Sequence, residues 1–350
     1  MKKAIVIVTL LMLVVLITSC KRSDTSIKAI PNFRIGIGGI EIKFLENSPP
    51  KELYYTEKAQ VPIGIEIRNN GAEKAFGVIA FNLDGYKRLV LENIDSNIYD
   101  SSSNLVMISN NDGSDLKGKR VENPNGDLRV FTVMAEPAPL NPQTEQFKST
   151  IIATACYDYS TEFTPEVCID TDIYNTKPIA KACKVQDIIG SKGQGAPVSV
   201  DKVEVQMLPS GKGISPQLTI TLKNSGKGEV IRYGNYKEVC SQKTMVSSST
   251  SSTQTNFNIV RVGAYIAGSG IELDCLPKKE DVVKEISSQD EELFGYARFS
   301  DKTATIVCRY IGVIPESAGN YVSKLRIVAN YGYTESISKE VLIKVPLPKR

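Results

Sequence analysis

Histidine and tryptophan are both missing from the 350 residues. Without histidine there is no Ser-His-Asp or Cys-His nucleophile and no His-ligated zinc. The most common general acid–base group at neutral pH is also absent. Without tryptophan the Cys–Trp–Cys core of antibody-type immunoglobulin domains is unavailable. No Asn-x-Ser/Thr acceptor occurs, which leaves export open, since many exported proteins carry none. An excess of charge of one sign is lacking too: 42 basic against 39 acidic residues give +3. A near-neutral chain without a basic block offers no electrostatic footprint for nucleic acid. What remains is ordinary: 41% apolar and 23% charged residues can fill cores, and the length suits about two domains of roughly 100–200 residues. Nothing in the composition calls for a cofactor.

The one long apolar run lies at the start. Lys2 and Lys3 precede Ala4 to Ile17, fourteen residues interrupted only by Thr9. That length fits the apolar region of a signal peptide and is short for a membrane span, which takes about 20 residues. The run ends in Ile17-Thr18-Ser19-Cys20, which resembles the bacterial-type lipobox. Small residues before the cysteine fit the peptidase, and the Cys20 thiol is the lipid attachment point. Residues 21–29 then read as a polar tether. Cleavage after Ser19 leaves 40 basic and 39 acidic side chains, a net +1. An uncleaved helix ending at Ser19 and a plainly secreted chain with an incidental cysteine are the other two readings. The first two share a topology, with membrane at the N-terminus and the rest on the extracytoplasmic face.

Beyond the tether a pattern occurs twice. Val61, Ile63, Ile65 and Ile67 alternate with more polar residues and break at Asn69-Asn70-Gly71; Leu218, Ile220 and Leu222 do the same and break at Asn224-Ser225-Gly226. A period of two marks a half-buried strand, and Asn/Gly supplies the turn. Ile151 to Tyr159 aligns with Leu325 to Tyr333 at an offset of 174 residues, and without a gap Glu166 to Ile169 matches Glu340 to Ile343. Each of these segments reads as a hairpin, a strand carrying Tyr-x-Tyr followed by a returning strand. Ile40, Ile42 and Phe44 open the first half as Val203, Val205 and Met207 open the second. The expected fold is all-β: two tandem immunoglobulin-like β-sandwich domains, 30–173 and 196–347, joined by a linker at 174–195 that holds Pro178, Gly190, Gly193 and Gly195. Segments 96–127 and 240–256 read as long exposed loops, and Asp281 to Phe294 as one short helix.

Seven cysteines less Cys20 leave six, an even number that predicts disulfides in an exported chain. Cys156 and Cys168 lie in the first hairpin, while their counterparts in the second, Asn330 and Leu342, lack sulfur. Joint presence and joint absence predict a Cys156–Cys168 bridge. Of Cys183, Cys240, Cys275 and Cys308, the last two both follow strand-like runs, which favours Cys275–Cys308 and leaves Cys183–Cys240. A four-thiolate metal site lacks any Cys-x-x-Cys pair, so no metal site is expected.

Other candidate sites have plainer explanations. Asn110, Asp112, Ser114 and Asp115 form an oxygen-rich loop, but the Gly and Glu of an EF-hand fall in the wrong places; turn chemistry explains the composition. Gly190 to Gly195 lacks the Lys-Ser/Thr of a phosphate loop and leads into a β-pattern, as a linker does. The Tyr-x-Tyr pairs offer either a sugar-stacking platform or rings packed at a sandwich edge with wet hydroxyls. No catalytic residue is singled out.

The strands ending in Asn-Asn-Gly (Ile65 to Gly71) and Asn-Ser-Gly (Leu222 to Gly226) resemble the immunoglobulin-like CARDB or S-layer-type modules of archaeal and bacterial surface proteins. Phe44 to Tyr55 and the Cys156–Cys168 segment are similar to stretches of anchored envelope proteins from small archaea. The resemblance implies a surface or adhesion role with no catalytic residues to carry over, and a sandwich alone does not define function. The expectation is therefore a non-enzymatic, membrane-anchored envelope protein with a protein or glycan partner and no nucleic acid. The competing expectation is a solute-binding or hydrolytic lipoprotein with its site in 96–148 or 240–300.

Overall fold

Alternating apolar side chains put most of the chain into strands. The computed structural model describes residues 32–57, 59–90, 99–100, 105–108, 114–141, 143–178, 180–190, 193–244, 256–267, 270–278 and 293–346. Phe33–Arg350 forms one unit, separate from Met1–Asn32, and all that follows concerns that unit.

In chain order the strands of the first half are β1 (Ile40–Phe44), β2 (Glu52–Tyr54), β3 (Val61–Asn69), β4 (Phe76–Leu83), β5 (Tyr86–Val90), β6 (Tyr99–Asp100), β7 (Leu105–Ile108), β8 (Leu128–Pro137), β9 (Gln146–Phe163) and β10 (Glu166–Asp170). Then come β11 (Ile188–Ile189), β12 (Val198–Ser210), β13 (Gly213–Asn224), β14 (Glu229–Ile231), helix α1 (Tyr236–Thr244), β15 (Ile259–Ala267), β16 (Ile271–Leu276), β17 (Gly295–Arg298), β18 (Thr303–Arg309), β19 (Ile314–Pro315) and β20 (Asn320–Lys344). A four-stranded sheet runs β1-β3-β8-β5, and a larger one follows the path β11-β12-β13-β18-β16-β15-β20-β9-β4-β7-β6. Among the described pairs all are antiparallel except β2 with β20. The apolar set of β3 (Val61, Ile63, Ile65, Ile67) and that of β13 (Leu218, Ile220, Leu222) are buried, as the alternation predicts. Ile63 and Ile65 of the small sheet and Ile79, Ile151 and Ala153 of the large one belong to one core cluster, which continues through Leu218, Ile220 and Ile327. The layers are sandwich-like, with antiparallel sheets facing each other across apolar side chains.

The two halves meet along β9 and β20. These strands pair over fourteen residues, from Tyr159 opposite Tyr331 to Gln146 opposite Lys344. That register sets Tyr157 across from Tyr333 and Tyr159 across from Tyr331, so the two Tyr-x-Tyr motifs form one buried quartet. Ring centroids lie 5.8 Å apart for Tyr157–Tyr159, 5.9 Å for Tyr157–Tyr333, and 6.4 Å for both Tyr159–Tyr331 and Tyr331–Tyr333. All four contacts are edge-on or tilted, the arrangement favoured by ring quadrupoles.

Each hydroxyl reaches a turn or a strand entry of its own half, and the bonds repeat. Tyr159 donates to Asn69 Oδ1 (3.2 Å) and accepts from Glu73 N (3.2 Å); Tyr333 donates to Asn224 Oδ1 (3.1 Å) and accepts from Gly228 N (2.8 Å). Asn69 Nδ2 donates to the carbonyl four residues on at 2.8 Å, as Asn224 Nδ2 does at 2.9 Å. Tyr157 accepts from Ile40 N (3.2 Å), and Tyr331 from Val198 N (3.3 Å). The glycines of the two turns are explained by this approach. A Cβ at Gly71 would lie 1.9 Å from the Tyr159 hydroxyl, and one at Gly226 would lie 2.2 Å from that of Tyr333.

Several expectations are overturned. Neither Tyr-x-Tyr strand is half of a hairpin: β20 runs straight for 25 residues, and β10 folds back onto β20 instead of β9. Cys156 sits opposite Thr334 and Cys168 opposite Val322 of that same strand. Twelve positions along a strand correspond to roughly 40 Å, and a disulfide needs Cα atoms about 4.4–6.8 Å apart. A Cys156–Cys168 bridge is thereby ruled out. The bridges are Cys156–Cys240, Cys168–Cys183 and Cys275–Cys308, so Cys183–Cys240 also falls and only Cys275–Cys308 stands. Cys240 is unavailable to Cys183 because α1 packs on the other half, with Val239 and Cys240 against Val78, Ala80 and Leu105. Segment 96–127 contains a buried strand, β7, and the buried Leu116, while 240–256 opens inside α1. The short helix expected at Asp281 to Phe294 lies almost wholly outside the described residues. Residues 174–195 are no loose spacer either, since they carry β11, paired to β12, and one half of a disulfide.

Tyr333→Phe should leave the Gly228 amide and the Asn224 carboxamide short of a partner while keeping the ring. A loss of about 1–3 kcal/mol is expected, read from urea denaturation, with the far-ultraviolet circular dichroism unchanged.

Candidate contact site

A cleft of ≈ 710 Å³ opens where β10 leaves the sheet. Its wall is drawn mainly from residues between Asp170 and Val185, and the local chemistry explains their path. After Asp170 the chain turns around the Asp172 carboxylate, which accepts from Thr176 N (2.9 Å), Thr176 Oγ1 (2.9 Å) and Lys177 N (3.1 Å). The Thr176 amide first, with Lys177 and the Thr176 hydroxyl, holds the Asp172 carboxyl below its usual range. Thr171 Oγ1 donates toward the carbonyls of Glu316 and Gly319, 3.1 Å from each. Returning, Lys181 Nζ meets Asp170 Oδ2 at 2.6 Å and the Asp172 carbonyl at 2.7 Å. Asp170 is only 7% exposed, and this ion pair supplies its counter-charge.

Cys183 then closes the loop onto Cys168, and Asn320 of β20 clamps it: the Cys183 amide donates to Oδ1 at 2.8 Å and Nδ2 donates to the Cys183 carbonyl at 3.2 Å. The cleft has an apolar wall of Ile173, Val185 and Met207 and a polar rim of Asn175, Lys181 and Lys184. A smaller hollow of ≈ 150 Å³ lies on the far side of the Asp170–Lys181 pair, lined in part by Thr171, Asp172 and Lys177. Such a surface suits a partner that presents an apolar group beside an acidic one. Among the described residues no group of three or more His, Cys, Asp or Glu is placed to hold a metal ion.

The residues singled out from sequence do not converge on this cleft. Cys20, Asn110 and Asp112 lie outside the described residues. Asp115 forms an ion pair with Lys74 at 2.6 Å. Gly193 and Gly195 adopt left-handed backbone (φ +68° and +69°), and they serve packing: Gly195 N donates to Gly36 O at 2.8 Å, and its carbonyl accepts from Ala72 N at 2.7 Å. The Tyr-x-Tyr rings make no sugar platform and no wet edge, being buried with their hydroxyls bonded inward. The cleft also lies outside segments 96–148 and 240–300. Its signal in the sequence is the pair Cys168 and Cys183, fifteen residues apart, enclosing Asp170, Asp172 and Lys181. That signal is obscured when Cys168 is assigned to Cys156.

The chain matches no protein-family model and no curated protein. Among solved structures it is similar to the serine-rich repeat adhesion glycoprotein Srr1 from Streptococcus agalactiae, at 8% identity, covering 91% of this chain and 98% of that one, with a TM-score of 0.20. It is also similar to the secreted serine protease VesC from Vibrio cholerae, at 10% identity, covering 84% of this chain and 50% of that one, with a TM-score of 0.19. The chain thus spans about half the length of the protease. At such scores neither likeness carries an argument. The class follows from the molecule itself: a nearly all-β protein with three disulfides belongs to an oxidising environment outside the cytoplasm. Among the described residues no helix is long and apolar enough to cross a membrane.

One titrating group escaped the sequence reading. Asp158 stands between Tyr157 and Tyr159, so strand alternation turns it to the opposite face. There it lies under the Tyr233–Asn235 turn and accepts from Gly234 N at 2.9 Å. Burial pushes its carboxyl up to about 6, with the Gly234 hydrogen bond working against the shift. An aspartate raised in this way favours the fold in its protonated form. Its contribution is full below about pH 3.8 and is lost as pH rises through about 6. Asp158→Asn keeps an acceptor for Gly234 without the charge. It should therefore stabilise the protein by about 2 kcal/mol near neutral pH, with the gain vanishing below about pH 4; thermal denaturation as a function of pH checks this.

Proposed function

We propose that the chain is a non-enzymatic envelope protein held at the extracytoplasmic face of a membrane through Cys20. In this reading it is built as two tandem immunoglobulin-like sandwiches of the CARDB or S-layer kind, and it acts by contact with a protein or glycan. The observation that carries the proposal is how the reactive side chains are used. All six described cysteines are in disulfides, the tyrosine quartet is consumed in internal hydrogen bonds, and Asp170 and Lys181 neutralise each other. What faces solvent at the cleft is an apolar wall with a lysine rim, a surface for recognition. The lipobox-like start and the polar tether support the anchor, and the disulfides support the compartment.

The test is photo-crosslinking on intact cells, with the probe placed at Lys184 in the full chain and in Cys20→Ser. The wild type should carry lipid label, stay with membranes and crosslink to a macromolecular partner. Cys20→Ser should lose the label and leave the membrane. Membrane retention of Cys20→Ser would argue against the lipid anchor, and a co-purifying dialysable solute in place of a macromolecule would overturn the contact role.

A further inference from the structure

The three disulfides are unequal in access. Cys156, Cys240, Cys275 and Cys308 are all 0% exposed, whereas Cys168 and Cys183 are half-buried and Cys183 lines the cleft. The surroundings of this bridge also differ at its two ends. The Cys183 end opens to a rim carrying Lys184, whose ammonium charge draws in an anionic nucleophile, Lys181 being neutralised by Asp170. The Cys168 end lies beside β20, opposite Val322, where the Asn320 Nδ2 amide is 3.6 Å from its sulfur and points a donor at it. A donor held on a sulfur stabilises that sulfur as a thiolate. Thiol–disulfide exchange requires an approach to one sulfur and departure of the other as thiolate, and here the two roles fall on different residues.

We propose that Cys168–Cys183 is a thiol-exchange site whose co-substrates are small thiols and dithiols entering through the cleft. The incoming thiolate attacks Cys183 Sγ. The Cys168–Cys183 bond breaks, a mixed disulfide forms on Cys183, and the electron pair leaves on Cys168, which Asn320 receives. With a monothiol the sequence stops there, and Cys168 can reverse it. With a dithiol the second thiol resolves the mixed disulfide, so the dithiol is oxidised as the protein bridge is reduced by two electrons. Nothing in this chemistry depends on the anchor or on the partner proposed above.

Residues 169–182 stay attached by other means after exchange. The Asp170–Lys181 ion pair and the Thr171 contacts to Glu316 and Gly319 remain. The bridge can therefore open without global unfolding, whereas opening either of the others first exposes a closed core.

The oxidised full chain is exposed to mercaptoethanesulfonate or to cysteamine under native conditions, quenched by alkylation and mapped by peptide mass spectrometry. Cys168 and Cys183 should react at least about tenfold faster than the other four bridged cysteines. The early adduct should sit on Cys183 with Cys168 alkylated. The anionic thiol should be favoured over the cationic one at matched thiolate concentration, and Lys184→Gln should reduce that preference several-fold. Opening of all three bridges at one rate, or an early adduct on Cys168, would overturn the proposal.

Discussion

Fourteen residue pairs between β9 and β20, with four tyrosines buried at one end of the ladder, hold the two halves of this protein together. The pairing is antiparallel, and near its tyrosine end Asp158 stands opposite Gly332. Under the 174-residue offset of the repeat those two positions are equivalent. The tyrosine quartet is therefore locally two-fold about that pair, while the ladder continues to one side of it. Each hydroxyl satisfies the Asn-Gly turn or the strand entry of its own half, so the quartet links the local turns to the junction. A buried hydroxyl without partners would cost about 1–3 kcal/mol. The two turn glycines follow from the same constraint, because any side chain there would occupy the space of the phenol oxygen.

The departures from two-fold symmetry are where the disulfides act. Cys156 has Asn330 as its counterpart, and it is bridged to Cys240 on helix α1 of the second half. With 84 residues enclosed, closing that loop stabilises the fold by roughly 4–5 kcal/mol in the chain-entropy account. It also ties the second half covalently to the β4–β9 face of the first. Cys168–Cys183 encloses fifteen residues, corresponding to about 3 kcal/mol, and shapes the cleft. The first bridge reinforces the seam, while the second sits at the surface where exchange is chemically accessible.

The sequence made the strands legible because their chemistry is local. The alternation of Val61 to Ile67 and of Leu218 to Leu222 states which face is buried, and Asn-x-Gly states where each strand stops. The equivalence of Tyr157 and Tyr331 was legible as well, from the ungapped match. What the tyrosines do was not, because their partners lie about 86–133 residues away. The hairpin reading failed because Thr334 to Glu340 is polar apart from Ile337. Such a stretch reads as a turn in isolation, yet it continues as a strand once β9 lies alongside. The disulfide error followed from that reading, since a false hairpin makes Cys156 and Cys168 neighbours. The cleft was hidden for the same reason, its defining bridge being the one reassigned.

The central claim is that the seam makes the two halves one cooperative unit. Native-state amide hydrogen exchange on the oxidised full chain under increasing denaturant tests it most directly. The account predicts that the β9 and β20 amides, with those of β3 and β13 in the two halves, converge on a single opening free energy equal to that of global unfolding. Protection of one half at denaturant concentrations where the other already exchanges freely would contradict it.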